Sequence, residues 1–200
     1  MEKTRILGIS GSTRDQGNTT FLVQMALDAC KAKGAEVELI ELAHKELLYC
    51  DYCNACTEKH NYTCPKDDDV AGILLAMKAA DGIVVGSPTY FASVSGKLKT
   101  LFDRTLPLRR DGFRLSKKAG GAIAVGGSRN GGQENVIRDI HNWMLVHEMI
   151  VVSDQKTAHF GGIAVARNIG DAAKDETGIA TAENLGLQVL EVASRLRSRT

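Results

Sequence analysis

The sequence predicts an α/β protein built on a doubly wound parallel sheet of five strands with helices on both faces. Three observations carry that reading. Short apolar runs alternate with amphipathic helical stretches from Arg5 to Val152, and parallel strands require such crossover helices. The crossovers turn right-handed, which covers both faces of the sheet. Three of the runs end in loops rich in Gly, Ser and Thr, where open α/β sheets hold ligands, outside the carboxyl ends of their strands.

Ile6 to Ile9 reads as a buried strand entering the polar loop Ser10-Gly11-Ser12-Thr13-Arg14. Gly17-Asn18 supplies a cap for a helix on which Phe21, Leu22, Met25, Ala26, Ala29 and Cys30 recur at helical spacing until Lys33-Gly34. Cys30 on that stripe reads as a small buried hydrophobe. Glu36 to Leu42 alternates with period two, as a half-covered outer strand does. Asp67-Asp68-Asp69 places negative charge at the start of a helix carrying Val70, Ile73, Leu74 and Met77. Ile83 to Gly86 is a β-branched strand, and Val94, Leu98, Leu101 and Phe102 mark the next helix. Gly120 to Val125 is a strand, Val136, Ile140, Trp143 and His147 share a helix side, and Met149 to Val152 is the last strand. An irregular tail from Ser153 to Gly178 precedes a helix with Ala182, Leu185, Val189, Val192 and Leu196 on one stripe.

The 200 residues are expected to form one domain over 1–200, with a four-cysteine loop at about 49–66 and the tail and last helix at about 153–198. A chain of this length buries roughly 70% of the surface its unfolded form exposes. With 25 Lys+Arg against 24 Asp+Glu the formal charge is +1, which does not suggest a nucleic-acid partner. No stretch approaches the ~20 apolar residues of a membrane span, so no membrane partner and a cytoplasmic location are expected. Arg104, Arg109, Arg110, Arg114, Lys117 and Lys118 form a local basic stretch. It reads as a solvated face, or as a receiver for an acidic partner or a pyridine-nucleotide phosphate.

Ser10, Ser12, Thr13 and Arg14, followed by Asn18 and Thr19 at a helix start, join hydroxyls and a guanidinium to free backbone N–H groups, a setting for a phosphate. The P-loop spacing and its lysine are absent, as is the dinucleotide fingerprint. A loop that merely caps a helix is the alternative. Pro88, Thr89, Tyr90 and Phe91 end the third strand, where two aromatics line a flat heterocycle or else pack into the core. Gly126 and Gly127 open a loop with little bulk, which lets backbone approach a ligand or leaves a plain flexible loop.

Cys50, Cys53, Cys56 and Cys64 fall within fifteen consecutive positions. Three thiolates at intervals of three let one loop wrap a cubane, with Cys64 at the fourth corner. Zinc usually takes two pairs separated by a longer arm, and a redox CxxC usually opens a helix in a thioredoxin-type unit; both remain alternatives. His60, in the gap before Cys64, reads as a substitute ligand or a surface histidine.

The Gly-Ile-Ser-Gly-Ser-Thr-Arg opening with its later Gly-Asn-Thr, the Gly-Ser-Pro-Thr-Tyr-Phe segment and the double-glycine loop resemble the flavodoxin-like NAD(P)H-dependent FMN reductases over about residues 4 to 152. With the cysteine segment they resemble the iron-sulfur flavoprotein family. That resemblance implies a flavodoxin-like fold and an electron-transfer oxidoreductase with two cofactors, FMN and a 4Fe-4S cluster. It implies that Ser10, Ser12, Thr13, Arg14, Asn18 and Thr19 bind the FMN phosphate, that Pro88, Thr89, Tyr90, Phe91, Gly126 and Gly127 frame its ring, and that Cys50, Cys53, Cys56 and Cys64 hold the cluster. It implies no acid or base side chain. Ferredoxin or NAD(P)H is the implied donor, and a homodimer or homotetramer the implied assembly, in which one subunit's cluster can lie near another's flavin. Two other readings stay open: an NAD(P)H-dependent FMN or quinone reductase without a cluster, and a zinc-stapled interaction module.

Overall fold

The computed structural model describes residues 3–58, 61–157 and 159–198. Strands β1 (Arg5–Ser10), β2 (Glu36–Glu41), β3 (Gly82–Pro88), β4 (Ala119–Gly126) and β5 (Ile150–Val151) form a parallel sheet in the order β2-β1-β3-β4-β5. Helices α1 (Asn18–Ala32), α3 (Val70–Ala79), α4 (Gly96–Asp103) and α6 (Gln133–Val146) make the crossovers, and α7 (Glu176–Arg197) closes the chain. Two short helices, α2 (Ala55–Glu58) and α5 (Leu106–Arg110), were not expected from periodicity; four- and five-residue segments are too short to display one.

The expected irregular tail is corrected in part. It contains β6 (Gly162–Val165), which pairs in parallel with the second half of β4, Ile123 to Gly126, while β5 pairs with its first residues, Ala119 and Gly120. The fifth sheet position is therefore filled by two strand segments with residues 152–161 between them. At two and four residues, each is too short to announce itself by alternation.

Side chains alternate across the sheet with the period of a strand. Leu7, Ile9, Ile83, Val85, Ala122 and Ala124 enter the core under α3, α4 and α6. Ile6, Val84, Ile123 and Val125 enter the core under α1 and α7. The second core depends on close helix contact: a Cβ on Gly186 of α7 would stand 2.4 Å from the Ala26 carbonyl oxygen of α1. Cys30 is fully buried there, its thiol donating to the Gly186 carbonyl at 3.1 Å. Burial pushes that thiol up to about 12, so Cys30 is protonated and inert, as its place on the stripe predicts.

Gly186→Ala is expected to destabilise the protein by about 1–3 kcal/mol through overpacking, although Ala is the better helix former by about 1 kcal/mol. Urea unfolding of the variant against the wild type measures it.

Candidate flavin and metal sites

The first loop is braced by its own side chains. The Ser10 hydroxyl meets the Thr20 hydroxyl at 2.8 Å and accepts from the Ser12 amide at 3.4 Å. Ser12 Oγ donates to the Arg14 carbonyl and accepts from the Arg14 amide, both at 3.1 Å. Gly17 fits against this turn because a Cβ would come 2.4 Å from Ser12 Oγ. The first intrahelical bond of α1 runs from Phe21 N–H to Gly17 O, so the N–H groups of Asn18, Thr19 and Thr20 have no acceptor within the helix.

Of the Gly17-Asn18 pair expected to cap α1, Gly17 is the cap residue, with no side-chain bond. Asn18 Nδ2 donates to Asn168 O at 2.7 Å, and its Oδ1 accepts from the amides of Gly170 and Ala172 at 3.1 and 3.2 Å. Arg14 Nη1 reaches the Arg167 carbonyl at 3.3 Å. The tail segment 167–172 thus packs on the first loop, a role that its sequence gave no sign of.

Neither aromatic of the third strand's loop enters the core: Tyr90 is 40% exposed and Phe91 fully exposed. Tyr90 OH meets Thr13 Oγ1 at 2.9 Å, joining the first and third loops. Phe91 and Ala92 adopt left-handed backbone, and Tyr90 and Ser93 close the turn by exchanging main-chain bonds at 3.0 and 3.1 Å. Gly132, with φ near 99°, abuts Ala92, where a Cβ would stand 2.9 Å from Ala92 Cα. The loops after β1, β3 and β4 are therefore contiguous. Gln133, absent from the sequence expectations, lies under Gly126, donates to Ser128 O at 2.8 Å and leaves its Oε1 buried without a partner. The Thr89 hydroxyl is likewise buried and unpartnered. The two orphaned buried oxygens and the free N–H groups of α1, carried on contiguous loops, form a donor and acceptor set that fits a flavin phosphate and ring.

The cysteine segment is fastened by the Asp67-Asp68-Asp69 run, which does more than charge a helix start. Asp68 accepts from Arg104 Nη1 and Nη2 at 2.7 and 3.1 Å, from the Leu48 amide at 2.8 Å and from the Val70 amide at 3.1 Å. Arg104 Nη1 also donates to Leu48 O at 2.5 Å. The two side chains are 0% and 2% exposed. Asp69 accepts from the Glu46 amide at 2.8 Å and pairs with Lys45 at 3.2 Å. Burial alone would raise the Asp68 carboxyl, but Arg104 and the two amides outweigh it and hold it below the usual carboxylate range.

All four cysteines of the segment are free, Cys50 and Cys53 exposed, Cys56 and Cys64 half-buried. Burial, then Cys64, then Cys50 and Cys53 push the Cys56 thiol up, so the other three thiols lie within electrostatic reach of Cys56. The Arg104 cation lies within reach of Cys64. Among the described residues, only Asp15, Glu41 and His44 bring three metal-binding atoms within 4.8 Å of one another. No three of the four thiols lie within 4.8 Å of one another, whereas Zn–S bonds of about 2.3 Å require sulfurs about 3.8 Å apart. Four free thiols on one loop with a buried cation behind them fit a larger, thiolate-held inorganic core. His60 lies outside the described residues.

The basic stretch does not form one solvated face. Arg104 is buried on Asp68, Arg114 pairs with Asp111 at 2.8 Å, Arg109 stacks over Phe113 at 5.0 Å, and Lys118 Nζ donates to the Lys78 and Ala80 carbonyls.

The family described as NADPH-dependent FMN reductase matches residues 4–162. An iron-sulfur flavoprotein of Methanocaldococcus jannaschii is 53% identical over 194 residues, covering 96% of this chain and 99% of its own. The chain belongs to the iron-sulfur flavoproteins. It is a flavin-dependent oxidoreductase of the NADPH-dependent FMN reductase superfamily. A second iron-sulfur flavoprotein, from Methanosarcina thermophila, is 42% identical over 195 residues, covering 98% of this chain and 100% of its own. The fold matches that of a flavodoxin, WrbA-like protein from Agrobacterium tumefaciens with a TM-score of 0.66 at 16% identity, over 97% of this chain and 99% of that one. No helix among the described residues is long and apolar enough to cross a membrane.

Asp68→Asn is expected to cost about 3–5 kcal/mol at neutral pH, because it leaves Arg104 buried without its counter-charge. A carboxyl held low in the folded state contributes fully above its unfolded pKa and loses that contribution as pH falls through the folded value. The gap between wild type and variant in urea unfolding should therefore narrow on acidification below the carboxylate range.

Proposed function

We propose that this flavin oxidoreductase is an electron-transfer protein that holds FMN at the Ser10–Arg14, Pro88–Phe91 and Gly126–Gly127 loops and a 4Fe-4S cluster on Cys50, Cys53, Cys56 and Cys64. The observation that carries the reading is the cysteine segment itself: four free thiols on one loop, three of them within electrostatic reach of Cys56 yet the set too wide for a single tetrahedral ion, seated on the buried Asp68–Arg104 pair. The names of the relatives from Methanocaldococcus jannaschii and Methanosarcina thermophila, both iron-sulfur flavoproteins, support it.

When bound, FMN supplies exchange between two-electron and one-electron chemistry, and the cluster supplies one-electron chemistry. The chain's own part is to bind and orient. Ser10 and Ser12 hold the first loop in shape, so that the N–H groups of Asn18 and Thr19 with Thr13 and Arg14 take the phosphate. Asn18 acts through its main chain there, since its side chain fixes the 167–172 segment. Thr89 and Gln133 offer their unpartnered oxygens to the ring, and Tyr90 and Phe91 flank it. Arg104 opposes the negative charge that thiolates would gather at Cys64. Cys50 lines a cavity together with Ser93 and Val94, which follow the Pro88–Phe91 turn, so the cysteine loop and the ring-framing loop are neighbours in one chain.

Ferredoxin or NAD(P)H is the proposed donor, in a single-domain cytoplasmic protein. The exposed Tyr49, Tyr52 and Phe91 support a homodimer or homotetramer. The zinc-stapled alternative is disfavoured by the spread of the thiols.

After anaerobic purification the protein should carry about four iron and four sulfide per chain. Cys53→Ala should lose the iron but keep the flavin, and Cys30→Ala should keep both. Zinc in place of iron, or iron retained by Cys53→Ala and lost by Cys30→Ala, overturns the assignment. Flavin released by acid should run as FMN on chromatography, and Ser12→Ala with Arg14→Ala should weaken its retention by about tenfold or more. Release of FAD contradicts the single-phosphate site.

A further inference from the structure

A cavity of about 690 Å³ lies apart from the first loop, between the cysteine segment and helices α4, α5 and α6. Its floor is the Phe102–Trp143 pair, stacked at 4.6 Å and 6°. Beside it, Thr105 Oγ1 donates to Phe102 O at 2.6 Å and accepts from Trp143 Nε1 at 3.0 Å. That hydroxyl has one proton, already placed, so its 2.8 Å contact with His147 Nε2 assigns the ring proton to Nε2. A neutral His147 then carries a bare acceptor at Nδ1. Burial, and next the Arg109 charge, lower its pKa to about 4, which keeps it neutral. His147 is 3% exposed, lines the cavity, and its Nδ1 is buried with no partner.

The charges around the rim are mostly satisfied internally. Lys99 pairs with Asp103 at 2.6 Å, and Asp139 accepts from Ser93 Oγ at 2.6 Å. Arg109 differs: it lines the same cavity, its Nε is buried and unpartnered, its guanidinium stacks on the Phe113 ring, and no carboxylate pairs with it among the described residues. The lining thus includes an aromatic surface, a cation without a paired carboxylate and a bare nitrogen acceptor. An occupant that satisfies all three is flat, anionic at one oxygen and carries a neighbouring O–H.

We propose that this cavity is a binding site for a hydroxyaryl carboxylate, its carboxylate on Arg109, its hydroxyl donating to His147 Nδ1 and its ring against Phe102 and Trp143. The groups that would meet the ligand are none of those assigned to flavin or iron, although Cys50 lines the same cavity.

Trp143 is the single tryptophan of the chain, so its fluorescence reports occupancy directly, and calorimetry checks it. Titration of the purified protein with 2,5-dihydroxybenzoate should give a saturable change in both. Arg109→Met should weaken binding by about tenfold or more. Methyl 2,5-dihydroxybenzoate, which removes the charge without touching the protein, should weaken it comparably, and cyclohexanecarboxylate should not bind. Absence of saturation, or equal affinity for the acid and its ester, overturns the proposal. So does a Trp143 signal that follows protein concentration and ignores the ligand, which would assign the cavity to contact with a second copy.

Discussion

The buried Asp68–Arg104 ion pair is the constraint on which the cysteine segment depends. Between Glu46 and Asp67 the described residues have little regular structure and contribute few side chains to either core. Apolar burial therefore cannot fix it. The pair does so by joining the start of α3 to the residue after α4 and by drawing Leu48 in through both its amide and its carbonyl. Removing two charges from water is costly, and the Coulomb attraction offsets that cost only when the remaining hydrogen-bonding capacity is filled. Here the bidentate geometry and the amides of Leu48 and Val70 fill most of it. The result is a loop fastened near its two ends while Cys50 and Cys53 remain exposed, which suits the proposed uptake of an inorganic core.

The flavin half of the molecule follows a different logic. The strands of a parallel sheet all deliver their following loops to one edge. The register of β1 against β3, Ser10 beside Gly86, and of β3 against β4, Pro88 beside Val125, brings the three loops level. Local hydrogen bonds then hold each loop, leaving main-chain N–H groups and the oxygens of Thr89 and Gln133 free to meet a ligand. The tail braces the arrangement from outside through Asn18 and Arg14. With the flavin phosphate at the proposed site, its retention and the order of residues 167–172 are linked, because both draw on the start of α1.

The sheet, its crossover helices and the strand-end loops were legible in the sequence because their signal is local: period two in β2, period 3.6 in α1 and α6, and Gly, Ser and Thr where strands end. What was not legible depends on contacts distant in the chain. β6 is four residues long and becomes a strand only by lying against β4. Arg104 sits in a run of basic residues that looks solvated, and only the fold shows that it faces Asp68, thirty-six positions away. Gln133 shows no signal beyond its place at a helix start after two glycines, and its orphaned oxygen appears only once Gly126 is set above it. The cysteine spacing suggested a metal-binding loop, whereas the placement of the thiols in space, no three of them within 4.8 Å of one another, is a tertiary property.

X-ray absorption at the iron and zinc edges of the anaerobically purified protein tests the central claim most directly, because it reads the neighbours of the bound metal. The account predicts iron with a sulfur shell and a second shell of iron, the signature of a multinuclear core on thiolates. Zinc with a single shell of four sulfur or nitrogen neighbours, at the distances of a tetrahedral site, would contradict it.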